Sequence, residues 1–188
     1  MKVRDIYFSH EHGKQNILNG VSIMAKKGEI TVVLGPNGSG KTTLFNCITG
    51  LWKPLSGSIK YCGKDITSAS HKKRAEIISV VPQDHEPPFP YTVFDAVLMG
   101  RAAHVGMFST PSRMDREKTS EAIEMMGISH LAHRPYTKIS GGERQLVLIA
   151  RGIAQNAPVM VLDEPTSHLD LKNQIMVLDR VHETVKAR

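Results

Sequence analysis

Eight consecutive residues, Gly35-Pro36-Asn37-Gly38-Ser39-Gly40-Lys41-Thr42, match the pattern G-x-x-x-x-G-K-[ST] without exception, and that pattern is a cradle for phosphate. Gly35, Gly38 and Gly40 admit backbone conformations closed to residues with a Cβ, so several N–H groups can converge on phosphate oxygens at a helix N-terminus. Lys41 brings a point charge to the β- and γ-phosphates of a nucleotide, and the Thr42 hydroxyl suits Mg²⁺. Thr43, the next residue, is expected to join the nucleotide-binding set.

Two further segments carry chemistry. Pro158 to Glu164 reads as a buried strand ending in two carboxylates. Alternation along a strand lets Asp163 serve the Mg²⁺ shell while Glu164 orients or deprotonates an attacking water. Ser140-Gly141-Gly142-Glu143 opens a helix, and Ser140 with Glu143 has the form of a capping box. Capping alone does not need two glycines, whereas anion binding by exposed N–H groups is served by them, so a second phosphate contact is expected here.

Other reactive residue types point to packing rather than chemistry. His10 and His12 lie in a polar turn without a third ligand, and His130 and His133 lack carboxylate or cysteine company. Cys47 and Cys62 have neither metal nor redox spacing and are expected to pack in the interior. Most methionines of the middle region, Met99, Met107, Met114, Met125 and Met126, are expected to fill helix cores.

The elements that must position these groups follow from periodicity. Lys2 to Phe8 and Ile17 to Ala25 read as an antiparallel edge, Ile30 to Leu34 as a buried strand feeding the cradle, and Thr43 to Gly50 as the helix leaving it. Gly57 to Tyr61 and Ile77 to Val81 read as strands and His71 to Glu76 as a short helix. Pro87, Pro88 and Pro90 forbid regular structure and mark a boundary, after which Val93 to Met99 and Asp115 to Met126 are helical, the latter with Ala122, Ile123 and Met126 on one face. Leu146, Ile149, Ala150 and Ile153 line the face of the helix after Ser140, and Ile175, Leu178, Val181 and Val185 that of Leu171 to Arg188. These elements lead to the expectation of an α/β chain with an N-terminal antiparallel β edge and a helical insert after the proline boundary.

At 188 residues there is room for one substantial core and one nucleotide site. The net charge of +6 comes from scattered basic residues whose longest cluster is Lys72-Lys73-Arg74, which reads as a solvated surface, and no nucleic-acid partner is expected. Neither a signal peptide nor an apolar run long enough to span a bilayer is visible, so a cytoplasmic chain docked on a membrane partner is expected.

With the cradle, Gln83, the run Ser140 to Gln145 (SGGERQ), Val161 to Pro165 (VLDEP) and Ser167-His168-Leu169-Asp170 in this order, the chain resembles the ATP-binding cassette ATPases of ABC transporters over essentially its whole length. The resemblance implies a phosphate-loop α/β core with a mainly parallel sheet, residues 1–85 and 139–188, a small helical subdomain inserted at residues 86–138, ATP and Mg²⁺ as cofactors, and Glu164 as the catalytic residue. It implies that Gln83 senses Mg²⁺ and a transmembrane permease, and that residues 167–170 form a loop speaking across a dimer. It also implies a second copy of the chain, arranged head to tail, whose nucleotide is touched by Ser140, Gly141, Gly142 and Glu143 in trans. The family's adenine-stacking aromatic falls at His10 or His12, and Ile139 replaces the usual leucine. The family's switch histidine lies on a strand after a helix like Leu171 to Arg188, and neither His168 nor His182 stands in its place. Slow hydrolysis, lowered stability and an open sheet edge are expected of a chain without that strand. Tyr91 to Arg101 resembles importers of metal chelates, those for iron-siderophores, haem and cobalamin, with a molybdate or tungstate branch near. Such importers work at the cytoplasmic face of the membrane with a substrate-binding protein. A nucleotide-binding module with little turnover is the competing expectation.

Overall fold

The computed structural model describes residues 1–10, 15–83, 89–106, 109–167 and 169–186. Two compact units emerge, Met1–Ile77 and Ile78–Arg188.

In the first unit, β1 (Lys2–Phe8) is the centre of an antiparallel sheet ordered β2-β1-β3-β4, with β2 (Leu18–Met24), β3 (Ser56–Tyr61) and β4 (Lys64–Asp65). Val3 pairs with Ile23 on one side and Ile59 on the other, which sends Val3, Ile6, Phe8 and Ile59 inward. The antiparallel edge expected from the sequence is therefore present, enlarged by β4, which is too short to leave a periodic signal. Helix α1 (Lys41–Thr49) buries Leu44, Cys47 and Ile48 and ends at Gly50, whose φ of 81° is the left-handed stop that glycine adopts without strain. Helix α2 (His71–Ala75) follows, capped by Ser70.

One expected element does not form. Residues 30–34 adopt no strand, and Ile30, Val32 and Leu34 are 50%, 68% and 87% exposed. An apolar run becomes a strand only where a neighbouring backbone takes up its N–H and C=O groups, and among the described residues no strand pairs with this one.

The second unit is built on the parallel pair β5 (Ile78–Val81) and β6 (Val159–Leu162) and on helices α3 (Val93–Leu98), α4 (Arg113–Met125), α5 (Gly141–Ala154) and α6 (Leu171–Lys186). Helix α5 is its axis. Leu146, Ile149, Ala150 and Ile153 are buried on it as expected, against Val93 and Val97 of α3, Ala122 and Ile123 of α4, and Val177 of α6. A 3₁₀ segment, Met99–Ala103, continues α3 and brings the backbone of Gly100 so close to Arg151 that a Cβ would strike its carbonyl oxygen.

Arg101 and Asp115, both nearly buried, form an ion pair at 2.9 Å, and Arg101 also donates to Ala154 O at the end of α5. Asp115 accepts from the Ser112 N–H and hydroxyl as N3 of a capping box. The Ser112 hydroxyl and the Arg101 guanidinium hold its carboxyl down at about 2.

On α6, Val177 and Thr184 face inward while Leu171, Ile175 and Leu178 are exposed, so much of its apolar face points outward. Cys47 is buried, but Cys62 is exposed in the turn between β3 and β4, contrary to its expected packing role. The methionines divide as well: Met126 is buried, whereas Met99 and Met114 are exposed, and Met107 lies outside the described residues.

Candidate functional site

The cradle lies in the first unit and is exposed from Gly35 to Ser39. Gly38 and Gly40 have φ of 78° and 93°, the left-handed region, and Gly35 is hemmed in by Ser39, whose Oγ would lie 2.7 Å from an added Cβ. Ser39 N–H donates to Pro36 O at 3.2 Å and Leu44 N–H to Gly40 O at 2.8 Å, closing the loop and the first helical turn. Gly40 is the N-cap of α1, so no side chain caps the helix, and its first turn carries no acidic residue. The first N–H groups of α1 thus lack the capping partner that most helices supply, and the dipole leaves them positive. Lys41 Nζ lies over the loop, donating to Gly35 O at 2.9 Å and Pro36 O at 3.1 Å. The Thr42 side chain is exposed, whereas Thr43 is buried. This arrangement fits the phosphates of a nucleotide.

Beside β1, the His10 ring packs edge-on against Trp52 at 4.7 Å and Phe8 at 5.2 Å, while Phe8 and Trp52 stack. His12 lies outside the described residues.

In the second unit, β6 delivers Asp163 and Glu164 at its end, and Asp163 N–H extends the parallel ladder to Val81 O at 3.0 Å. Glu164 is exposed with φ 43°, a left-handed conformation costly for a residue with a Cβ. The Gln83 amide donates to Ser167 Oγ at 3.2 Å. Ser167 N–H donates to Glu164 O, Leu169 N–H to Thr166 O, and Asp170 accepts from Asn173 N–H at 2.8 Å at the start of α6. His168 lies outside the described residues.

At the head of α5 both halves of the capping box are made: Glu143 N–H donates to Ser140 Oγ at 3.3 Å, and Glu143 Oε2 accepts from the Ser140 N–H and hydroxyl at 2.7 Å. The Ser140 backbone and hydroxyl donors hold the Glu143 carboxyl below the usual glutamate range. Gly141 opens on empty space, whereas a Cβ on Gly142 would meet the side chain of Asn173. Among the described residues no cluster of three or more His, Cys, Asp or Glu side chains could hold a metal unaided. Mg²⁺ favours hydroxyl and carboxylate oxygens together with a substrate's own phosphates; Thr42 offers a hydroxyl in the first unit, and Gln83 and Asp163 offer an amide and a carboxylate oxygen in the second.

The profile describing the ABC transporter family matches residues 18–167. A Helicobacter pylori protein named as a probable iron chelatin transport ATP-binding protein is 39% identical over the whole of this chain and 73% of its own length. The chain belongs to the ABC transporter ATPase family. Other members similar to this ABC transporter ATPase are a molybdate import ATP-binding protein of Haemophilus influenzae, 43% identical over 81% of the chain, and a cobalamin import ATP-binding protein of Halobacterium salinarum, 40% identical over 89%. The chain spans only 55% and 42% of these two relatives. Among solved structures, a metal-chelate type ABC transporter in an inward-facing conformation superposes with a TM-score of 0.84 at 36% identity, covering 98% of this chain and 67% of that one. A dimeric ATP-binding cassette in a post-hydrolysis state with ADP and Pi gives 0.80 at 26% identity, covering 99% and 83%.

Two features escaped the sequence. Arg74 belongs to the basic cluster read as a solvated surface, yet it is 4% exposed and donates to three backbone carbonyls, while Lys72 and Lys73 beside it are exposed as expected. Asn173, one turn into α6, lies against Gly142, and its spacing carries no motif that would have singled it out.

Proposed function

We propose that this chain is the ATP-binding and ATP-hydrolysing subunit of an ABC importer for a metal chelate. The observation that carries the nucleotide reading is the uncapped, glycine-entered N-terminus of α1 with Lys41 folded over its loop. Gly35 to Thr43 hold the phosphates, with Pro36, Asn37 and Ser39 shaping the loop between its glycines. Mg²⁺ supplies charge neutralisation of the β- and γ-phosphates. Thr42, Gln83 and Asp163 would hold it, and Glu164 would orient or deprotonate water.

The complete site takes two copies of the chain head to tail, because Ser140, Gly141, Gly142 and Glu143 present a helix N-terminus that serves the partner copy's nucleotide. Ser167, His168, Leu169 and Asp170 form the loop at that dimer boundary. Residues 1–85 and 139–188 act as the ATP-binding core and 86–138 as the helical arm that meets the permease at the cytoplasmic face of the membrane, a substrate-binding protein serving the opposite side. No described helix is long and apolar enough to cross a membrane. Import of a metal chelate is supported by the names of the iron chelatin and cobalamin relatives, with molybdate or tungstate as the alternative cargo.

A second reading, nucleotide binding with little turnover, is favoured by the unpaired run at residues 30–34, which leaves the strand before the cradle unformed. Titration with Mg-ATP and a steady-state ATPase assay test both readings. Saturable binding lost in Lys41→Ala is expected, because no other side chain in the loop brings a cation to the β- and γ-phosphates. Equal affinity in parent and variant would remove the cradle assignment, and binding without measurable turnover would select the second reading.

A further inference from the structure

Arg74, near the end of α2, reaches into the interior of the first unit with 4% of its surface exposed. Its Nη1 donates to Ile48 O at 2.7 Å, and its Nη2 donates to Ile66 O at 2.5 Å and Thr67 O at 2.9 Å. Ile48 belongs to the last turn of α1, the helix that begins at the cradle.

The C-terminal carbonyls of a helix need partners from outside it. On α1, Asn46 O accepts from Trp52 N–H at 3.1 Å and Thr49 Oγ1 at 3.3 Å, and Cys47 O accepts from Gly50 N–H at 3.3 Å. Ile48 O is taken by Arg74, and the last turn of α1 has no basic residue of its own. Gly50 completes the fit, since a Cβ there would run into Nε, Cδ and Cζ of Arg74.

No described carboxylate forms an ion pair with Arg74, and Asp65 acts on it only through space. A buried cation held by carbonyls alone costs desolvation that an apolar side chain of similar volume would not. What an arginine adds at this position is the hydrogen-bonded link between the end of α1 and the Ile66–Thr67 segment.

We propose that Arg74 is a positioning residue for the nucleotide phosphates, acting through α1. It ties the C-terminal end of that helix to the segment at Ile66 and Thr67 and so fixes the direction in which the N-terminal N–H groups point. Its charge also complements the negative end of the same dipole. The inference rests on the reading of Gly35 to Thr42 as a nucleotide cradle.

The test measures Mg-ATP affinity and thermal unfolding of the full chain for the parent, Arg74→Met, Arg74→Lys, Lys41→Ala and Val3→Ala. Val3→Ala thins the core of the same unit at β1, touches none of the hydrogen bonds at the end of α1, and serves as the stability control. All titrations are made at a temperature where every variant is folded. Arg74→Met is expected to raise Kd about three- to tenfold, the range of a helix-terminus charge effect, whereas Val3→Ala lowers Tm and leaves Kd within about twofold. Arg74→Lys, which keeps the cation but not the fork, is expected to fall between parent and Met, and it decides the question if the Met variant does not fold. The proposal is overturned if the folded Arg74 variants bind as the parent does, or if Val3→Ala weakens binding as much as they do. A Lys41→Ala variant that binds like the parent would instead remove the cradle reading on which the proposal rests.

Discussion

The side-chain amide of Gln83 donates to the hydroxyl of Ser167 at 3.2 Å, joining positions 84 residues apart at the ends of two adjacent parallel strands. Gln83 lies just after β5, and Ser167 follows the two carboxylates at the end of β6, so the hydrogen bond spans the mouths of both strands. A neutral hydrogen bond of this kind contributes about 0.5–1.5 kcal/mol. Gln83→Ala and Ser167→Ala are each expected to slow ATP turnover, and the double variant to be no slower than the slower single one. Independent, multiplying effects in the four-way comparison would show that the two residues do not act as a unit.

Glu164→Gln keeps shape and backbone while removing the proposed base. Loss of a general base costs on the order of 10²–10⁴ in rate, so turnover should collapse while Mg-ATP binding and Tm stay close to the parent's. The substitution adds no strain to a position already at φ 43°. A variant hydrolysing ATP at the parental rate would assign water activation to another residue.

Ser140 and Gly142 can serve a nucleotide only from a second copy in the proposed arrangement. In a Glu164→Gln background, Mg-ATP is expected to produce a dimer in light scattering, and Ser140→Arg to abolish it by filling the head of α5. The Ser140 hydroxyl bond to Glu143 is lost in that variant, so circular dichroism should accompany the measurement; a helix-cap loss costs about 1 kcal/mol and does not unfold the chain. Dimers of equal strength with and without the substitution count against the shared site.

Asp115 predicts a pH dependence. Its carboxyl is held at about 2, below the ordinary 3.8, so the carboxylate contributes stability that is fully present above about pH 4 and is lost as pH falls towards 2. Arg101→Met removes one of the groups holding it down, and it strands a nearly buried carboxylate. The Tm difference between parent and variant should be largest above pH 4 and shrink as pH falls to 2. A difference that is the same at pH 7 and pH 2 would assign the effect of Arg101 to packing instead of charge.

Much of the site is legible in the sequence because it is made of short-range relationships. The glycines of the cradle, the Ser140–Glu143 box and the apolar stripe of α5 each involve residues within a turn or two, where covalent geometry settles who can meet whom. Helices α1 to α4 accordingly begin and end within one or two residues of their expected positions, α5 begins at its expected cap, and the last two residues of the expected α6 fall outside the described ones.

Three matters were decided only by tertiary structure. Ile30 to Leu34 has the composition of a buried strand, but a strand requires a neighbour's backbone, and no local pattern states whether one is supplied. Arg74 looks like its exposed neighbours Lys72 and Lys73, and it is buried because three carbonyls from Ile48, Ile66 and Thr67 happen to converge where its fork can reach them. Gln83 and Ser167 meet because β5 and β6 lie side by side in parallel, a pairing between segments about eighty residues apart that sequence periodicity does not encode. Types, spacing and local geometry were thus determined by the sequence itself, whereas burial and long-range pairing depended on which distant backbone arrived to satisfy each group.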